Sequence, residues 1–420
     1  MRVLQHLNRI SIWLLIVTAT LCSFPWSEKL SSWGIILLVL HWLFDKDLIK
    51  KIRSFEWNRL SISMLSFFAA YILWLFWSDD KHTALHSIES RLSFLILPFL
   101  FSTEHYFYGK EIKSIMNFFV ISCLFSLLFN IGHSIYSYRH FGYEVVWNRM
   151  YLAYTIWHPG YFSNYYVVAI FFISYHLLDF KNNSGWNQFL YLISLPLFIL
   201  FTFLLMSKIS LLVLALFFVL TFIFSFPYIK SIWIRLVSTI VACIILSFVL
   251  ANHPAFKLRM LEMTEITSIK KEEVRVSNSS NSRVATYTTA THLIIANPLF
   301  GYGTGDANYE LRKKLHQEGY VKLAKDNMAV HNQYMTSWIE LGLIGIFLFV
   351  LLLYNFAWAM PIKMYPWSIW VWILFALSCL VENMIESQAS NVFFIFLMSL
   401  LAFMKYNKKP LPLIYSKFIS

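Results

Sequence analysis

Ser282-Arg-Val-Ala-Thr-Tyr287, then Asn297-Pro-Leu-Phe-Gly-Tyr-Gly-Thr-Gly-Asp306, then His331-Asn-Gln-Tyr-Met-Thr-Ser-Trp-Ile-Glu-Leu-Gly-Leu-Ile-Gly-Ile-Phe347 hold most of what this chain discloses. They lie in its one long polar interval, about 251–334, and the last of them runs back into apolar sequence. Outward on both sides, long apolar runs recur. Only 13% of the residues are charged, 58% are hydrophobic, and the mean hydropathy is +0.60. A soluble domain carries roughly a quarter charged residues. The repetition of apolar runs excludes a soluble domain with a single anchor and predicts an all-α polytopic membrane protein. The first run, Ile10 to Ser23, follows Arg2 and Arg9 and leads into Phe24-Pro25-Trp26. It lacks a small-residue cleavage pattern, so a retained first helix is expected.

The runs predict twelve spans, at approximately 10–26, 30–44, 60–78, 85–102, 114–137, 160–178, 188–206, 209–226, 232–250, 335–357, 366–383 and 389–404. Several fall short of the roughly 20 residues a bilayer needs, which leaves room for tilted or re-entrant segments. Lys and Arg set the orientation. With the N-terminus in the cytoplasm, seventeen of the 34 fall in cytoplasmic segments and six in the short external loops. The rest lie in the long loop, where the rule has little weight. The expected layout is therefore spans 1–9 within 1–250, a periplasmic loop at 251–334, spans 10–12 within 335–404, and a cytoplasmic tail at 405–420.

Within the loop, Lys257 to Asn281 alternates charges and ends in Ser and Asn, as flexible sequence does. From Arg283 to Ala296, Val284, Tyr287, His292 and Ile295 recur at helical spacing, predicting a helix along the membrane surface. Asn297-Pro298 stops it, and a second helix is expected over Asp306 to Gly319. Cys22, Cys123, Cys243 and Cys379 all fall in apolar runs, so neither a disulfide framework nor a Cys metal site is suggested. The net charge of +12 is explained by where the cations sit, without a nucleic-acid partner.

Gly301, Gly303 and Gly305 follow no strand, which argues against a dinucleotide loop and for a tight turn. The N–H groups of such a turn can also meet a phosphate oxygen. His331 opens the tenth span. On an unbroken helix His331, Tyr334, Trp338, Gly342 and Gly345 share one face, and the glycines admit a close neighbour. An unperturbed imidazole titrates at about 6.5, so at neutral pH it accepts a proton from a hydroxyl. A hydrated interfacial histidine is the plainer reading.

Lys208, between Leu204-Leu205-Met206 and Ile209-Ser210-Leu211, must be paired or hydrated, or snorkel to the headgroups. The orientation places Arg91, His158, Lys208, Arg283, His331, Glu382 and Glu386 together at the external face. Cations and imidazoles there suit a phosphate-bearing lipid and a proton acceptor. Carboxylates are sparse and form no Asp-x-Asp pair, so no divalent metal is expected. Glu382 and Glu386, one helical turn apart, either orient a sugar or are solvated. Glu340, on the opposite face from His331, needs a partner the sequence does not name.

These residues resemble the O-antigen ligase and O-antigen polymerase superfamily, bacterial membrane glycosyltransferases of the GT-C type. The likeness rests on the twelve-span layout and on the long external loop. It rests further on Arg283 with Asn297-Pro298-Leu-Phe-Gly301-Tyr-Gly303, on His331-Asn332-Gln-Tyr334 with Glu340-Leu-Gly342-Leu-Ile-Gly345, on Ser207-Lys208, and on Glu382 to Phe394. The resemblance implies transfer of a glycan from an undecaprenyl-diphosphate carrier to an acceptor hydroxyl in the periplasm, at the inner membrane, without a metal or other cofactor. It implies that His331 activates the acceptor and that Arg283 contacts the diphosphate, with Lys208 as a further cation; Arg91, placed at the external face by the charge count, is a further candidate for the diphosphate. His158, Tyr334, Glu340, Glu382 and Glu386 are supporting candidates. Lys208 stands where many members have Arg, which keeps the charge and loses the fork. A lipid A-core sugar, another glycan chain or a protein hydroxyl can serve as acceptor in such families. A lipid-linked glycan transporter is the alternative from another class, although no internal repeat supports it. A structural partner in an assembly complex would leave His331 dispensable.

Overall fold

A computed structural model describes residues 2–24, 29–103, 109–141, 151–153, 158–178, 183–225 and 279–403. Among these residues all regular structure is helical. In chain order the α-helices are α1 (Arg2–Cys22), α2 (Lys29–Leu43), α3 (Leu48–Arg53), α4 (Arg59–Leu75), α5 (Lys81–Ser90), α6 (Ser93–Thr103), α7 (Gly109–Phe141) and α8 (Pro159–Leu178). There follow α9 (Gly185–Leu205), α10 (Lys208–Ser225), α11 (Ser279–Ala296), α12 (Ala307–Gln317), α13 (Val321–Lys325), α14 (Gln333–Ala359), α15 (Trp367–Ser378) and α16 (Gln388–Ala402).

By length and composition alone, four helical stretches, Lys81–Thr103, Glu111–His140, Gly185–Leu205 and Gln333–Ala359, suffice to cross a membrane. Shorter apolar helices start at Ile10, Lys29, Arg59, Lys208, Trp367 and Gln388. Among the described residues these ten helical stretches lie at ten of the twelve positions expected for spans. The ninth, 232–250, lies outside the described residues, as do the segment 251–278 and the tail 405–420. α8, in the place of the sixth, is more polar, with Tyr161, Ser163, Asn164, Tyr165 and Tyr166 filling its first turns. The expected span at 85–102 is interrupted. α5 ends at Ser90, a turn passes through Arg91 and Leu92, and α6 resumes at Ser93.

The chain divides into two compact units, one of residues 1–122 with 269–420 and one of residues 123–268. In the second, α8 lies between aromatic partners on α9 and α10. Tyr166 stacks on Phe198 with centroids 5.3 Å apart, and Phe171 meets Phe217 at 4.7 Å. The junction of α9 and α10, which the sequence leaves nearly fused, is a sharp stop. Met206 takes a left-handed φ of 55° and closes α9, so that Lys208 begins a new helix.

In the first unit α4 packs against α6 and α14. Phe67 touches Phe94 at 5.3 Å and Phe349 at 5.9 Å. α6 in turn meets α16 through Phe101 and Phe396. Helices α11 to α13 form a small cap on the first part of α14, around buried Ala285, Ala290, Leu293, Leu311, Leu315, Leu323, Val330 and Ile339. α11 turns its smaller side chains toward the cap. Val284 and Ile295 are exposed, whereas Thr286, Thr289, Ala290 and Leu293 are buried.

α14 is not one continuous helix. Gly342 has φ 65° and ψ −154°, a conformation open essentially to glycine alone. Beyond it the helix folds back on itself. The rings of Tyr334 and Phe349 meet edge to face at 5.1 Å, although an unbroken helix would set these residues about 22 Å apart along its axis. A Cβ on Gly345 would strike the Ser337 carbonyl, so the two arms touch there as well. The shared face expected for His331, Tyr334, Trp338, Gly342 and Gly345 therefore does not exist, because the two glycines serve the fold-back.

A break in a helix strands backbone groups, and buried ones must be paired. The 297–305 loop pairs them. Tyr302 N–H donates to the Ile339 carbonyl (2.8 Å), Gly303 N–H to that of Glu340 (2.9 Å), and Leu343 N–H to that of Leu299 (3.2 Å). Two indoles grip the same loop from outside, Trp74 Nε1 on the Phe300 carbonyl (2.6 Å) and Trp338 Nε1 on that of Pro298 (3.0 Å). Gly303 and Gly305 press against Ser78 and Asp80, and Gly305 N–H donates to Ser78 Oγ at 3.0 Å. The glycines are there for close approach. The N–H groups of residues 302, 303 and 305, available to phosphate in the tight-turn reading, are already engaged.

Candidate active site

His331 sits just ahead of α14 rather than on it. Asn332 caps the helix, its side chain accepting from Met335 N–H at 3.1 Å. The cap leaves His331 in the left-handed region at φ 54°, which costs a non-glycine residue roughly 1–2 kcal/mol. Three contacts hold it there. Tyr287 Oη donates to the His331 carbonyl (3.0 Å), and Asn332 N–H donates to Asn383 Oδ1 (2.9 Å). His331 Nδ1 lies 2.9 Å from Glu382 Oε2.

A carboxylate only accepts, so Nδ1 carries the proton and neutral His331 keeps its lone pair on Nε2. Nε2 has no partner among the described residues, and the side chain is 30% exposed. The other oxygen of Glu382 accepts from Arg283 Nη2 at 2.6 Å. Arg283 is 27% exposed and makes no other side-chain hydrogen bond among the described residues, so Nε and Nη1 remain open to an anion. One carboxylate thus joins the two loop residues that the sequence singled out.

The Glu382 loop is keyed onto the start of α14. Gln333 N–H donates to the Cys379 carbonyl at 2.8 Å, and buried Gln333 Oε1 accepts from Ile385 N–H at 3.0 Å. Asn383 Oδ1 also accepts from Thr336 Oγ1, and its Nδ2 donates to Glu386 Oε2 at 2.9 Å. Glu386 therefore braces the loop from within, its Oε1 buried without a partner. Tyr334 Oη is turned to the Ala376 carbonyl at 3.1 Å. Burial raises the Tyr287 phenol above its usual range; the Glu382 charge adds to this and the Arg283 charge opposes it. It stays a donor at neutral pH.

Arg91 and Glu340 answer each other. Arg91 is 1% exposed, its Nη2 lies 3.3 Å from both oxygens of Glu340, and its Cζ sits 4.1 Å above the Tyr71 ring. Tyr71 Oη donates to Glu340 Oε2 at 2.7 Å, and Nη1 reaches the Ser87 carbonyl and hydroxyl. The partner that Glu340 needed is Arg91. The assignment of Arg91 to the diphosphate is corrected accordingly, since a guanidinium sealed against a carboxylate has little left to offer an outside anion.

Lys208 and His158 belong to the second unit. Lys208 is exposed at the head of α10. His158 is exposed before α8, where its Nδ1 accepts from Gly160 N–H at 3.2 Å. A Cβ on Gly160 would meet both the His158 ring and Ser207 Oγ, which puts the two candidates at the same end of that unit.

Tyr287, Gln333, Asn383 and Tyr71 escaped the reading of the sequence. Tyr287 carried a signal, one turn beyond Arg283 on the same helix face, and Asn383 adjoins Glu382. Tyr71 carried none, because its partner lies 269 residues away.

Fold and site together define an all-helical membrane protein with a carboxylate-held histidine and an arginine beside it. Residues 193–350 match the family model described as O-Antigen ligase, which supports a relationship to the O-antigen ligase and polymerase superfamily. Its members are glycosyltransferase-like ligases and polymerases. The match takes in Lys208, Arg283, His331 and Glu340, and leaves Arg91, His158, Glu382 and Glu386 outside it. A search of curated proteins gives no match.

Proposed function

We propose that this protein transfers a glycan from an undecaprenyl-diphosphate carrier to an acceptor hydroxyl at the periplasmic face of the inner membrane, as an O-antigen ligase-type glycosyltransferase. The observation that carries the reading is the single carboxylate of Glu382 held between His331 and Arg283. His331 Nε2 takes the proton of the acceptor hydroxyl as its oxygen bonds to the anomeric carbon. The bond from that carbon to the phosphate oxygen breaks, and the carrier diphosphate leaves with the electron pair. Glu382 stabilises the imidazolium so formed, and the open donors of Arg283 meet the charge developing on the diphosphate. A polymerase of the same superfamily would use these steps with a second glycan as acceptor. Lys208, exposed in the second unit, is proposed as a separate contact for the anionic carrier. The Lys and Arg distribution supports cytoplasmic termini and a periplasmic loop.

His331→Ala tests the chemistry. Transfer should fall by roughly 10²–10⁴-fold, the usual contribution of a positioned base, with protein level and donor binding intact. Near-normal surface polysaccharide at matched expression would remove His331 from the mechanism. Reporter fusions after residues 55, 108 and 409 should score cytoplasmic and those near 145 and 310 periplasmic. A cytoplasmic score at 310 would put the site on the wrong side.

A further inference from the structure

We infer that Asn383 is a positioning residue for the reaction, acting through His331. The inference rests on the role of His331 as the base. His331 and Asn332 are met by Glu382 and Asn383 in step, side chain to side chain in the first pair and backbone to side chain in the second. A left-handed residue is kept only where its surroundings over-determine it. Here the peptide N–H that follows His331 is the group that must be captured, and Asn383 Oδ1 captures it at 2.9 Å. The same amide is fixed on its other side by Glu386 Oε2 and from below by Thr336 Oγ1, so its acceptor is aimed before any substrate arrives. Asn383 is only 8% exposed and touches none of the reacting atoms. Its work is to set the distance from His331 to Glu382, and thereby the direction of Nε2. Misplacing a reacting group by about 1 Å can cost about 100-fold.

Asn383→Leu keeps the size and burial and removes the acceptor. Glycan transfer is measured in membrane vesicles holding the full-length protein, with the lipid-linked glycan of the native membranes as donor. We expect kcat to fall about 10- to 100-fold with KM for the donor unchanged. Asn383→Asp combined with Glu386→Gln, which keeps the acceptor oxygen and lets the residue 386 amide donate to its partner, should recover most of that loss. The deciding comparison is made in the His331→Ala background, where Asn383→Leu should cause no further loss, because a positioning residue has nothing left to position. An equal loss in both backgrounds overturns the inference and makes Asn383 a clamp for the fold alone. Where the Leu variant fails to accumulate, Asn383→Ala takes its place in the same cycle. Full activity of His331→Ala by itself would instead overturn the assignment of the base, and this inference with it.

Discussion

Glu382 gives one oxygen to His331 Nδ1 at 2.9 Å and the other to Arg283 Nη2 at 2.6 Å. A histidine and an arginine that sit 48 residues apart in the chain are thereby set by one side chain from a third segment. The carboxylate fixes the tautomer of His331 and keeps Arg283 from swinging away. Glu382→Gln should therefore impair transfer more than loss of charge alone suggests. A glutamine can accept from Nδ1 only through Oε1 and then turns its amide nitrogen, a donor, toward the guanidinium. The expected fall is about 10²-fold or more in kcat, in line with a base deprived of its orienting partner. Unchanged turnover would show that His331 works without it.

At Arg283 the question is geometry against charge. Pairing with Glu382 occupies one nitrogen and leaves the rest of the fork to a phosphate, which a lysine cannot imitate. Arg283→Lys should be markedly impaired in transfer assays. Lys208→Arg should be tolerated and Lys208→Ala poor. Should Arg283→Ala prove fully active while Lys208→Ala fails, Arg283 has no part in carrier binding.

Gly342→Ala should be among the most damaging small substitutions in the chain. Its Cβ would overlap the carbonyl of Leu299, and its φ of 65° is strained for any other residue. A loss of about 3 kcal/mol or more is expected, read as a lower melting temperature in detergent or as loss of folded protein. An alanine variant of wild-type stability would mean that α14 does not fold back at this point.

For the buried pair, Arg91→Met alone should destabilise by about 3–5 kcal/mol, because Glu340 is left as an uncompensated charge. Arg91→Met combined with Glu340→Leu should recover a large part of that loss. Thermal unfolding of the two variants side by side decides the point, and additive losses would contradict the pairing.

The apolar runs, the long polar interval and the helix stop at Asn297-Pro298 followed from the sequence alone, since hydropathy and turn chemistry are local properties. His331 and Arg283 stand out in the sequence through the family resemblance, since residue type alone leaves a hydrated histidine the plainer reading. The tertiary structure decided what binds what. Glu382 could not be told from a solvated carboxylate until the α15–α16 loop was seen keyed onto Gln333. Arg91 looked like a surface cation because a charge count assigns a side of the membrane and says nothing of burial. Gly342 and Gly345 read as a smooth contact face because helical periodicity presumes an unbroken helix. The fold-back depends on the 297–305 loop supplying hydrogen bonds from about forty residues away, and no local pattern records whether such a partner will arrive.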